Sequence, residues 1–113
     1  MMSVAHGEPR LVVNITEQDN STPAVEYVAG TRGISRISMQ VVFTGYTSVN
    51  VQLRGSLDGS TFSDVPGMAI SSSGDIVTQE IGPLNEIDIL VAATLSGGAD
   101  SLQVFLMEVI APR

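Results

Sequence analysis

Apolar residues in this chain fall on alternate positions through short runs, and no stretch carries the three-to-four spacing of an amphipathic helix. Ile34–Thr44 is one of the clearest runs. Ile37, Met39, Val41 and Phe43 share one face, with Ser38 and Gln40 between them. Successive side chains of a strand point to opposite faces, so a period of two marks a strand with one side buried. Ser48–Leu57 repeats the pattern, setting Val49, Val51 and Leu53 against Asn50, Gln52 and Arg54, and Glu86–Leu95 carries it through Ile87, Ile89, Val91 and Ala93. Shorter β-like segments lie at Arg10–Ile15, Pro23–Ala29, Thr61–Val65, Met68–Ile70 and Asp75–Ile81. Ser101–Ile110 is apolar on both faces: Leu102, Val104 and Leu106 oppose Phe105, Met107 and Val109. A strand of that kind sits between two covering layers or at an interface.

Turn residues divide these segments. Thr16–Thr22 is polar; Gly30–Gly33, Gly45–Thr47, Asp58–Gly59, Pro66–Gly67, Ser71–Gly74, Gly82–Pro83 and Ser96–Asp100 follow in order. Asp-Gly is a strong hairpin signal, because glycine accepts the positive φ that tight turns require. Short strands at roughly ten-residue spacing, punctuated by Gly and Pro, favour a sandwich or a barrel. The expected fold is therefore all-β: a single β-sandwich of about eight strands, jelly-roll or Greek-key like, with a small barrel as a further possibility. The expected division is an extended N-terminal arm over residues 1–9, where Gly7 and Pro9 discourage regular structure, and one domain over 10–113. The predicted core is Val41, Phe43, Val51, Leu53, Phe62, Ile89, Val91 and Val104.

Charge then narrows function. Twelve acids stand against five bases, all five bases are arginine, and the formal net charge is −7. Nucleic-acid binding draws its affinity from clustered Lys and Arg on phosphates. Arg10, Arg32, Arg36, Arg54 and Arg113 are scattered, so neither nucleic acid nor an anionic membrane surface is expected as a partner. No apolar run approaches the length of about 20 residues that a membrane helix needs. The first nine residues lack the basic start and apolar run of a secretion signal, so synthesis in a cytoplasm is expected.

Catalytic chemistry finds little support. There is no cysteine and one histidine, His6, in the arm. A general base needs fixed geometry toward its substrate, so His6 reads as an exposed residue of a mobile end. Asp58, Asp64, Asp75 and Asp100 could serve as paired carboxylates or calcium ligands, but all lie at turns, where aspartate commonly bonds its own backbone. Neither a cofactor nor a metal is expected. Asn14-Ile15-Thr16 and Asn20-Ser21-Thr22 match the glycosylation acceptor pattern and read as chance. Gly97-Gly98 lacks the following lysine and helix of a phosphate-binding loop.

The run Val49-Asn50-Val51-Gln52-Leu53-Arg54-Gly55-Ser56-Leu57-Asp58-Gly59-Ser60-Thr61-Phe62-Ser63-Asp64-Val65 resembles a hairpin of small β-sandwich proteins in tailed-phage particles. A similar Ser-x-Asp-Gly-x-x-aromatic hairpin occurs in discoidin-like carbohydrate-binding jelly rolls. The role of the motif is structural in both: Asp58–Gly59 turns, and Phe62 returns to the core beside Leu57. The phage resemblance implies a non-enzymatic virion protein, in first place a capsid cement or decoration protein on the capsid surface that binds the major capsid protein. The alternatives are a head-to-tail connector or tail component, and a carbohydrate-binding or adhesion module. Sugar-binding jelly rolls stack aromatics on their ligand, and only 4% of this chain is aromatic, with no tryptophan. The low charge fraction, 15%, and the two-faced strand Ser101–Ile110 predict self-association, with a trimer at symmetry-related points of a shell favoured. The expected partner-binding residues are Met1, Met2 and Val4, apolar groups on an arm that can adapt to a neighbouring subunit.

Overall fold

The computed structural model describes residues 5–6, 9–31, 34–81 and 84–110. Among these, a two-residue strand β1 (Ala5–His6) precedes eight longer ones: β2 (Arg10–Thr16), β3 (Asn20–Gly30), β4 (Ile34–Thr44), β5 (Ser48–Ser56), β6 (Ser63–Ile70), β7 (Ile76–Glu80), β8 (Glu86–Thr94) and β9 (Ser101–Ile110). No helix occurs among the described residues. The chain is all-β, and its strands form two antiparallel sheets that pack as a β-sandwich.

The first sheet runs β9-β4-β7, with β1 and β2 both paired to the other edge of β9; the second runs β3-β8-β5-β6. Apart from β5 to β6, each step from β2 to β9 crosses between the sheets. Two interlocked Greek keys of this kind make an eight-stranded jelly roll. The alternation read from the sequence decides the packing. Ile37, Met39 and Val41 of β4, Val51 and Leu53 of β5, Ile89 and Val91 of β8, and Val104 of β9 are fully buried between the sheets. At about 25 cal/mol per Å2 of apolar surface removed from water, this double layer supplies the main drive to fold.

The structure departs from several local expectations. Strand β3 begins at Asn20 rather than Pro23, and β6 runs through Pro66–Gly67 instead of stopping there. Both are edge strands, where a missing N–H removes no ladder bond. Their pairing registers also break, between Asn20 and Ala24 and opposite Gln52/Arg54. Asp58–Gly59 does not make a two-residue hairpin turn but lies in the wider connection 57–62. The Asp58 carboxylate takes the main-chain N–H groups of Ser60 at 2.8 Å and Thr61 at 2.7 Å, which draws the loop around the side chain. Phe62 is consequently not in the core, and Leu57 beside it is 73% exposed. Phe43 does face inward, but at a sheet end where it is only half-buried. Within the expected arm, Ala5–His6 forms main-chain pairs with Ile110 and Val109, so this part of the chain continues the first sheet.

Candidate interaction surface

The outer face of the first sheet is built by strand register. Leu11 lies opposite Phe105, Phe105 opposite Gln40, and Gln40 opposite Ile76, giving one rank across four strands. The next rank holds Met107, Ser38 and Thr78, the last two joined hydroxyl to hydroxyl at 2.8 Å. Beyond it lie Val109, Arg36 and Glu80, with the arginine on the carboxylate at 3.0 Å. On the other side stand Asn14, Gln103 and Val42. Leu11, Val42 and Ile76 expose 46%, 37% and 63% of their surface, more than an isolated apolar side chain needs explained when they share one face. A shallow cleft of about 250 Å3 opens between Phe105, Met107 and Ile76 over Ser38 and Gln40, with Pro9 at its end. Phe105, Met107 and Val109 are the outward half of the two-faced strand.

The second sheet carries a different cluster on its outer face. Arg54 of β5 and Asp88 of β8 are register partners, and the guanidinium grips the carboxylate with two bonds, Nε to Oδ1 at 2.8 Å and Nη2 to Oδ2 at 2.6 Å. The Asp88 side chain is 2% exposed and that of Arg54 22%. Phe62 lies over the guanidinium, 5.7 Å from ring centroid to Cζ, and shields it from water. Pairing, bidentate geometry and a stacked ring are what a buried charge requires. Asp88 reads in the sequence only as an interruption of an apolar run; its partner lies 34 residues away and is found from the register.

The turn carboxylates are engaged by their own loops. Asp58 also accepts the Ser56 hydroxyl at 2.9 Å, and the N–H groups of Thr61 and Ser60 with that hydroxyl hold its pKa well below the ordinary carboxylate range. Asp100 accepts the Ser96 hydroxyl at 2.7 Å and the Ser96 N–H at 3.0 Å, and these bonds, Ser96 hydroxyl first, lower it too. Tyr46 is buried and donates to the Gln18 carbonyl at 3.0 Å; desolvation raises its pKa against that bond. At the opposite end of the sandwich Arg10 reaches Glu108 and the Tyr27 hydroxyl. Among the described residues no group of three or more His, Asp or Glu gathers as a metal site. Asp58 through Oδ1, and Asp100 through both oxygens, accept N–H and hydroxyl groups of their own loops, and none of the chain's five aromatic residues is fully exposed.

Of the residues expected to bind a partner, Met1, Met2 and Val4 lie outside the described residues. His6 belongs to β1 by its main chain. The outward faces of β2, β4, β7 and β9 form a surface that mixes apolar side chains with mostly uncharged polar ones, and only its β9 part was legible in the sequence.

No family model matches the chain, and no curated protein matches it in sequence. Solved structures do match in fold. The SPBc2 prophage-derived protein YomS superposes with a TM-score of 0.59 at 11% identity, over 91% of this chain and 96% of that one. A protein of the Bacillus endospore appendages, described as a family of disulfide-linked pili, superposes with a TM-score of 0.54 at 16% identity, over 96% of this chain and 88% of that one. In both pairs the likeness spans nearly the whole of each chain and is one of overall fold.

Proposed function

We propose that this chain is a non-enzymatic structural subunit of a phage particle, and in particular a cement protein that binds the major capsid protein on the capsid surface. The observation that carries the reading is the whole-chain jelly-roll likeness to a prophage-derived protein of about the same size. Jelly rolls recur in viral capsid proteins and in lectins. Aromatic exposure favours the first: Tyr46 is buried, Phe62 is stacked on Arg54, and Tyr27, Phe43 and Phe105 are half-covered, which leaves no ring as a platform for a sugar. The second likeness, to a pilus-forming protein, fits a fold used for repeated assembly. This sequence holds no cysteine, so disulfides do not link its copies.

A net charge of −7 keeps subunits soluble and mutually repelling on a shell, and leaves DNA untouched. The adhesive element in this reading is the N-terminal segment with Met1, Met2 and Val4, added as a strand or an apolar plug to a capsid subunit. The test is add-back binding. Capsids lacking the protein are mixed with purified chain and sedimented, with the intact chain and a form lacking residues 1–8 in parallel. The intact chain is expected to co-sediment to saturation and the shortened one to bind at least several-fold more weakly, with unchanged circular dichroism. No binding of the intact chain to capsids would refute the cement role, and equal binding of both forms would refute the role of the arm.

A further inference from the structure

We infer that the outer face of the first sheet is a self-association surface, and that a second copy of this chain covers it in a two-fold pair. Charge points to this occupant. Among the described residues, the formal charges on the outward positions from Thr44–Ser101 to Arg36–Val109 are Arg36 and Glu80, which neutralise each other, and Arg10 and Glu108, at positions of the alternate register, pair with each other. Asp75 follows only at the rim, beyond Ile76. The chain as a whole is at −7, so two copies repel through most of their surfaces and can meet here without bringing like charges together.

Shape points the same way. A two-fold interface must be self-complementary, each copy offering both the knob and the hole. Ile76, 63% exposed, stands at the rim of the cleft formed with Phe105 and Met107 over Ser38 and Gln40. A cleft of about 250 Å3 has room for one branched apolar side chain. Two sheets stacked face to face let Ile76 of each copy enter the cleft of the other. The ranks span about 26 Å along the strands and about 19 Å across them, from strand rise and spacing. Because β7 and β2 pair over only part of that length, this is at most about 500 Å2 per copy and about 1,000 Å2 for the pair, the low end for a specific contact. The pair is therefore a weak one.

This inference is independent of the particle and is tested on the isolated protein. Sedimentation equilibrium from about 1 to 300 μM, the range in which a weak pair dissociates, is expected to show a monomer–dimer equilibrium. It should tighten as salt rises from about 20 to 500 mM, since screening weakens the repulsion while no ion pair crosses the interface. Ile76→Asp, on an exposed edge strand, is expected to weaken association at least tenfold. Val28→Asp adds the same charge at a 53% exposed site on the opposite sheet and is expected to leave it within twofold. A monomer at 300 μM in high salt, a trimer by mass, or equal weakening by both substitutions would each overturn the proposal.

Discussion

Removing Arg54 isolates a charge in the middle of a sheet. Asp88 sits on β8, between β3 and β5, with its side chain 2% exposed and both oxygens bound to one guanidinium. Arg54→Met keeps an unbranched apolar stem and deletes the charge and both bonds. Breaking a buried pair from one side costs about 3–5 kcal/mol, because the remaining ion keeps its desolvation penalty and loses its partner. Arg54 is 22% exposed and Phe62 can swing away, so water reaches the vacated site in part, and the lower end, about 3 kcal/mol, is expected. That is about a fifth to three-fifths of a typical domain's stability of about 5–15 kcal/mol. Urea unfolding followed by far-ultraviolet circular dichroism measures it as a lower midpoint at unchanged slope. The double change Arg54→Met, Asp88→Leu is expected to recover most of the loss, since an apolar pair of similar volume replaces an ionic one at little cost. A loss below about 1 kcal/mol for Arg54→Met would class the pair with exposed salt bridges. A double variant as unstable as the single one would show that the strain is in packing rather than charge.

Leu53→Ala, at a fully buried position, is expected to cost about 2–5 kcal/mol, and the half-buried Phe43→Ala less than the 3–5 kcal/mol of a fully enclosed ring; the same urea titration ranks them. Gly45→Ala is expected to destabilise by about 1–3 kcal/mol, because φ is 85° and the new Cβ would stand 2.2 Å from Asp100 Oδ1, and a lower melting temperature checks it. Asp58 and Asp100 have folded pKa values below their unfolded ones, so their contribution is fully present above the unfolded range near 4 and is lost as pH falls through the folded values. Melting temperature is accordingly expected to fall below about pH 4, and Asp58→Asn with Asp100→Asn to flatten that fall.

Periodicity carried most of the fold into view, because each inner residue of a sandwich needs only to alternate with its neighbours. Ile37, Met39 and Val41 were readable for that reason, as were Val51 and Leu53, and all five are fully buried. What periodicity lacks is register. Which strand neighbours which follows from pairing between segments far apart in sequence, and sandwich, jelly roll and barrel share the same alternation. The Arg54–Asp88 bridge and the rank Leu11–Phe105–Gln40–Ile76 exist only once that pairing is known. Phe62 shows the opposite error. An aromatic following a turn looks like a core anchor, yet the loop held by Asp58 sets it on the outer face, where a cation accepts it. Proline misled at Pro23 and Pro66 because its cost depends on whether a strand is central or at an edge, and local sequence does not say which.

Copy number in the native particle decides whether this jelly roll is a component of a phage shell, the role proposed for it. Particles purified by gradient and washed in high salt are digested, and peptides of this chain are quantified against those of the major capsid protein. The cement reading predicts hundreds of copies per particle, in fixed proportion to the capsid protein. A dozen copies or fewer would move the chain to a connector or tail, and its absence from washed particles would contradict the claim.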